Sequence, residues 1–217
     1  MKQPQVEELL YQALETELGG VQVYRTAVRC AQNKDLREEW QKYGKQTERH
    51  VRIVRTVFAQ LKLDPEKETP GRQIVRSKGK ALVVAMEKAL ETGGGAAAQL
   101  VAAECVVDAE TKDHANWELI GQIAKKSSGT QKEALKKAHD EVEDEEEEHL
   151  YHTMGWSREL WMDSLGLGAE LPPPEEEKDV KTAIGAARAK QGRKPKPTSR
   201  KKAAPKKSGK AASKKKK

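Results

Sequence analysis

Aromatic residues are scarce in this chain: four Trp, four Tyr and a single Phe among 217 residues. No run of eighteen apolar residues occurs, which excludes a transmembrane helix. Two cysteines, Cys30 and Cys105, are too few for a disulfide framework and lack metal-ligand spacing, so they read as small apolar fillers in a reduced cytoplasm. Met1-Lys2-Gln3-Pro4 opens without an apolar stretch, and no secretory leader is expected. The period-two alternation of strands is nearly absent.

Charge is plentiful and divided. Residues 178–217 hold 17 Lys/Arg against one acid, Asp179, a net of +16. Residues 1–177 hold the other 24 basic (41 − 17) and 33 acidic (34 − 1) side chains, a net of −9. The overall +7 therefore joins an acidic body to a strongly basic tail.

The body is patterned for long helices. The first is expected from Pro4 to about Ala31, with the inward stripe Val6, Leu10, Ala13, Glu17, Gly20, Tyr24, Ala27 and Ala31. Asp35, with Glu38 as capping-box partner, is expected to start the second. Its stripe is Leu36, Trp40, Tyr43, Thr47, His50, Val54, Val57 and Leu61, ended by Asp64-Pro65. Residues 64–95 form a long connection with a short helix near Lys80–Leu90. The third long helix, about Ala96–Lys126, carries Leu100, Ala103, Val107, Glu110, His114, Trp117, Gly121 and Ala124, with His114 and Trp117 assigned to core packing. Thr130 and Glu133 form a second capping box before Leu135, Ala138, Val142, Glu146 and His149. A break near Gly155 and a short closing segment carrying Trp161 and Leu165 complete the body.

Two hairpins joined by a long crossover give an all-α, ferritin-like four-helix bundle over residues 1–168. A Pro-rich, acidic linker follows at 169–184, then a disordered tail at 185–217. Gly19-Gly20 inside the first helix points to close approach of a neighbouring helix.

Every stripe is interrupted by groups that are costly to bury: Glu17, then Thr47 and His50, then Glu110, then Glu146 and His149. Their depths agree. Glu17 precedes the first turn, near residue 33, by 16 residues, and Thr47/His50 follow it by 14–17. Glu110 precedes Gly129 by 19, and Glu146/His149 follow it by 17–20. All six fall in one layer of the bundle. Carboxylates and imidazoles in one layer suit one or two cations, since carboxylates neutralise and bridge while each His gives a nitrogen. Glu104, Asp108 and His152 are placed at the surface or its boundary, and the acidic run Glu143–Glu148 is read as a solvated face apart from Glu146.

With Glu17, Glu110 and Glu146-x-x-His149 on helices one, three and four, the body resembles the ferritin-like superfamily, nearest to rubrerythrin-type di-iron carboxylate bundles. That resemblance implies metal ligands at Glu17, His50, Glu110, Glu146 and His149, and iron as the cofactor. It also implies ferroxidase- or peroxidase-type oxidation, with Tyr24 beside the site. The ligand types alone equally accept manganese or zinc. Thr47-Glu48-Arg49-His50 departs from the family by placing Thr where a Glu belongs, and Asp113, one turn after Glu110, is the alternative third-helix carboxylate. No Cys-x-x-Cys pair exists, so the rubredoxin-like domain of true rubrerythrins is absent.

The tail resembles the Lys/Ala/Pro-rich tails of linker histones and bacterial histone-like proteins. Arg193, Lys194, Lys196, Arg200, Lys201, Lys202, Lys206, Lys207, Lys210, Lys214, Lys215, Lys216 and Lys217 are expected to neutralise phosphates of DNA or RNA without reading sequence. With no apolar side chains to insert, a membrane is not the expected partner; a second copy of the chain, as a homodimer, is. The resulting expectation is a cytoplasmic, nucleoid-associated iron protein with a protective redox role. The alternative is a non-catalytic nucleoid or stress protein whose bundle holds no metal.

Overall fold

The computed structural model describes residues 1–170, and among them five α-helices and no strand: α1 (Gln3–Cys30), α2 (Lys34–Leu61), α3 (Pro70–Thr92), α4 (Gly94–Lys126) and α5 (Gly129–Ser164). The tail, and all but the first two residues of the linker, lie outside the described residues. No described helix is long and apolar enough to cross a membrane.

Helices α1, α2, α5 and α4 pack in a ring, each against the next, and α3 lies outside it across α1 and α4. Two hairpins and a crossover are as expected from the sequence. The crossover itself differs: in place of a short helix it carries 23 helical residues. Thr69 starts it early by accepting the Arg72 N–H at 3.1 Å, and Pro70 suits the first turn. Arg72, almost fully buried, then pairs with Glu15 at 2.7 Å and binds α3 to α1. Gly79 helps the contact, because a Cβ built there would lie 3.7 Å from the Gly19 Cα. The glycine pair in α1 thus marks a helix–helix approach, as the sequence indicated.

Three termini differ from expectation. Asn33, rather than Asp35, caps α2; its side-chain oxygen accepts from the backbone N–H of Asp35 and Leu36 at 2.9 and 3.2 Å. Helix α5 begins at Gly129, whose φ of 56° favours a glycine, so Thr130 is already helical and makes no cap. Gly155 does not break α5. Burial of Trp156, whose indole N–H donates to Glu39 at 3.0 Å, offsets the roughly 1 kcal/mol propensity cost of a helical glycine. Trp156 closes that end of the bundle, whereas Trp161 and Leu165 are exposed.

The apolar core forms two clusters, one on each side of a polar layer. Tyr24, Trp40, Met86 and Trp156 belong to the first, and Leu10, Leu14, Phe58 and Leu135 to the second. Both cysteines are free and buried.

Candidate metal centre

Between the two clusters the stripes deliver Glu17 from α1, His50 from α2, Glu110 from α4, and Glu146 and His149 from α5, each 3% exposed or less. All five residues singled out in the sequence come together. They form two triads, Glu17–His50–Glu146 and Glu110–Glu146–His149, whose ligand atoms lie within 4.8 Å of one another. Donors around one cation at bonds of about 2.0–2.2 Å stand up to about 4.4 Å apart, so a few tenths of an ångström of closure suffices. Glu146 belongs to both triads.

The two imidazoles are held from behind. His50 Nε2 lies 2.9 Å from Glu145 Oε2, and His149 Nε2 lies 3.2 Å from Gln46 Oε1. Burial pushes the Glu145 carboxyl up, but hydrogen bonds to His50 and Gln46 outweigh it and hold it below the ordinary range. Ionised, Glu145 only accepts, so His50 carries its proton on Nε2. Burial in turn holds His50 low, hence neutral, with its lone pair on Nδ1. That Nδ1 lies 2.9 Å from Glu146 Oε1 and 3.7 Å from Glu17 Oε2. His149 Nδ1 lies 3.6 Å from Glu110 Oε2 and 3.7 Å from Glu146 Oε1. Among the described residues neither Nδ1 has a hydrogen-bond partner, and neither do Glu17 Oε2, Glu110 Oε2 or Glu146 Oε2. Buried polar atoms are normally paired, and five unpaired ones in a single layer are groups that could hold a metal ion.

The electrostatics agree. Glu17 is pushed well above the carboxylate range, first by burial and then by the charges of Asp113 and Glu146, with the Trp117 N–H bond at 2.8 Å opposing. Glu146 is pushed up to about 8 by burial and by Glu110, with His149 opposing. Like charges crowded in a dry layer repel one another, and a cation relieves that repulsion.

One assignment needs correction on α4 and one on α5. Asp113, the alternative carboxylate, is 4% exposed, whereas His114, assigned to core packing, is only partly buried, 3.6 Å from Glu118. The stripe through Leu100, Val107 and His114 is displaced: contact with α1, α3 and α5 centres the buried face on Ala103, Val106, Glu110, Asp113 and Trp117. Trp117 packs in the core as expected and also donates to Glu17. His152, placed at the boundary from sequence, is 1% exposed. Its Nδ1 lies 2.8 Å from Glu39 Oε1 and 2.7 Å from the Tyr43 hydroxyl, and the Tyr43 ring packs 4.3 Å from His149. Glu104 and Asp108 are exposed, as expected. Thr47 is buried but donates its hydroxyl to the Tyr43 carbonyl at 3.0 Å, and its methyl group lies against Gly20 of α1. Tyr24 lies beside the layer with its ring 5.9 Å from His149.

Sequence reasoning missed Glu39, Gln46 and Glu145. Glu145 sits in the acidic run beside Glu146, yet it reaches His50 on α2 from the flank of α5. The available signal was the buried histidine itself, which needs a partner for its second nitrogen.

Fold and site together define a helical bundle with a buried carboxylate–imidazole layer that can hold a metal ion, compatible with a ferritin-like fold. No protein-family model, curated protein or solved structure matches the chain.

Proposed function

We propose that this protein binds redox-active metal, iron first, in the layer and uses it to consume oxygen or peroxide, while the tail holds the bundle on nucleic acid. One observation carries the metal reading: both imidazoles are tied at Nε2 and aim an unpartnered Nδ1 at carboxylates, with Glu146 common to both triads. Glu17 and His50 would hold one position, and Glu110 and His149 the other. Iron, when bound, supplies electron transfer to an oxidant; the chain's own groups set the conditions for it. Glu145 and Gln46 fix the imidazole tautomers and orientations. The apolar clusters on either side keep bulk water from the layer. Glu146, pushed up to about 8, gives up a proton as a cation enters. A cleft of about 430 Å³ between α1, α3 and α4 is lined by Thr16, Gly20, Ala109 and Lys112, close in sequence to Glu17 and Glu110, and is the side from which a small oxidant would approach.

The nucleic-acid half of the reading rests on the sequence: a net +16 over residues 178–217 against −9 for the rest. Anaerobic loading with Fe(II) followed by addition of oxygen tests the redox half. Ferrous oxidation should be faster with the protein than in buffer and fall to the buffer rate in His149→Ala. Equal rates in buffer, wild type and variant would remove the redox role.

A further inference from the structure

The crossover helix α3 lies outside the four-helix ring, and a cleft of about 430 Å³ runs between it, α1 and α4. That volume suits a small-molecule site, which is mostly apolar with a few polar groups that fix orientation. Gly19, Val23, Val75, Leu82 and Ala109 give the cleft apolar walls, and no aromatic ring lines it. Its polar groups are few, and most are already used. Glu15 is held by Arg72 and Arg76 at 2.7 Å each. Thr16 donates to the Gln12 carbonyl at 2.8 Å and accepts from the Asn116 amide at 3.1 Å. Asp108 is exposed, so water and salt screen its charge.

Two ammonium groups remain, Lys78 from α3 and Lys112 from α4, and neither is in an ion pair among the described residues. Lys112 is partly buried, and it donates to the neutral Asn116 side-chain oxygen although Asp108 stands one turn before it. A partly buried cation paired only with a neutral group favours an incoming anion. Lys78 and Lys112 lie near enough to repel one another, so a single anion can serve both. We propose that the cleft binds an amphiphilic monocarboxylate, a medium-chain fatty acid, with its carboxylate at Lys78 and Lys112 and its alkyl chain along Val23, Val75 and Leu82. A sugar or nucleotide would bring hydroxyls and ring nitrogens that these walls leave unpaired. The proposal stands whether or not the polar layer holds metal.

Calorimetric titration of the full-length chain with decanoate, kept below the concentration at which it aggregates, tests this. Wild type should show one saturable site. Acetate, which lacks the chain, and decanol, which lacks the charge, should each bind at least about tenfold more weakly. Lys112→Met should weaken decanoate binding about tenfold, whereas Lys112→Arg, which keeps the charge, should stay within about threefold of wild type. Lys78→Met should cost about threefold, and Lys80→Met, exposed on α3 and outside the cleft, nothing. Ala81→Phe, which fills the cleft, should abolish binding with helix content unchanged. The 17 Lys/Arg of residues 178–217 are common to all these proteins. Equal affinities in wild type, Lys112→Met and Ala81→Phe would therefore move binding to the tail and overturn the proposal. Decanol binding as tightly as decanoate, or no saturable site in wild type, would overturn it too.

Discussion

His50 donates from Nε2 to Glu145 at 2.9 Å, and that contact decides which edge of the imidazole faces the layer. Without the carboxylate the ring is free to flip or to change tautomer. Glu145→Ala should therefore keep the helix content and weaken metal affinity by about 10- to 100-fold. Asp144→Ala, exposed on the same helix, should change nothing. Calorimetric titration of the three proteins with Mn(II) reads the difference, and equal affinities would remove Glu145 from the account.

The layer should make the metal-free protein sensitive to alkali. The Glu146 carboxyl is raised from an ordinary 4.5 to about 8, chiefly by burial and then by Glu110, so its contribution to stability is complete below about 4.5 and is lost as pH rises through about 8. Glu17 and Asp113 shift in the same direction. Metal-free protein should thus melt lower at about pH 8.5 than at about pH 6, and saturating Mn(II) should remove much of the difference. Glu146→Gln should raise the metal-free melting temperature at the higher pH and abolish the metal-dependent rise. A melting temperature that climbs steadily with pH in the metal-free wild type contradicts this.

Thr47 marks a closed corner. A Cβ built on Gly20 would lie 3.2 Å from the Thr47 methyl, so α1 and α2 leave no room for a longer chain. Thr47→Glu should lower stability by about 1–3 kcal/mol through overpacking and bring no additional ion. Denaturant melts paired with metal analysis check both halves; a stable variant with a higher metal content would show that the corner opens.

Helices, hairpins and depth were legible because a buried stripe at 3.6 spacing leaves a plain trace, and six costly residues at one depth leave a plainer one. On α1, α2 and α5 the five- to eight-residue stripes match the buried faces closely. On α4 the trace fails, since a helix touched on three sides is buried over a broad arc and a single stripe drawn through it drifts from Asp113 to His114. Supporting groups were harder still. Nothing in the order Asp144-Glu145-Glu146 says that one carboxylate faces the layer while its neighbour reaches around to hold a histidine of another helix. The 23-residue α3 exceeds the short helix expected near Lys80–Leu90 because Thr69 and Pro70 start it early and Gly79 serves the approach to α1.

The tail prediction follows from charge alone. Full-length protein should bind duplex DNA of any sequence, with a log–log salt slope of about −7 to −9 if roughly 8–10 cations engage phosphates. Removal of residues 178–217 leaves a net of −9 and should abolish binding. Gel shifts with two unrelated sequences at several salt concentrations read this. Binding by the shortened chain would move recognition into the bundle.

Metal content bears most directly on the whole account. Purified, metal-stripped chain should be dialysed anaerobically against Fe(II), freed of loose metal and assayed for iron and protein. At least about one ion per chain is expected in wild type and almost none in Glu146→Gln, because both triads share that carboxylate. Less than about 0.2 ion per chain in wild type, or equal iron in the variant, would mean that the layer is a metal-free polar network.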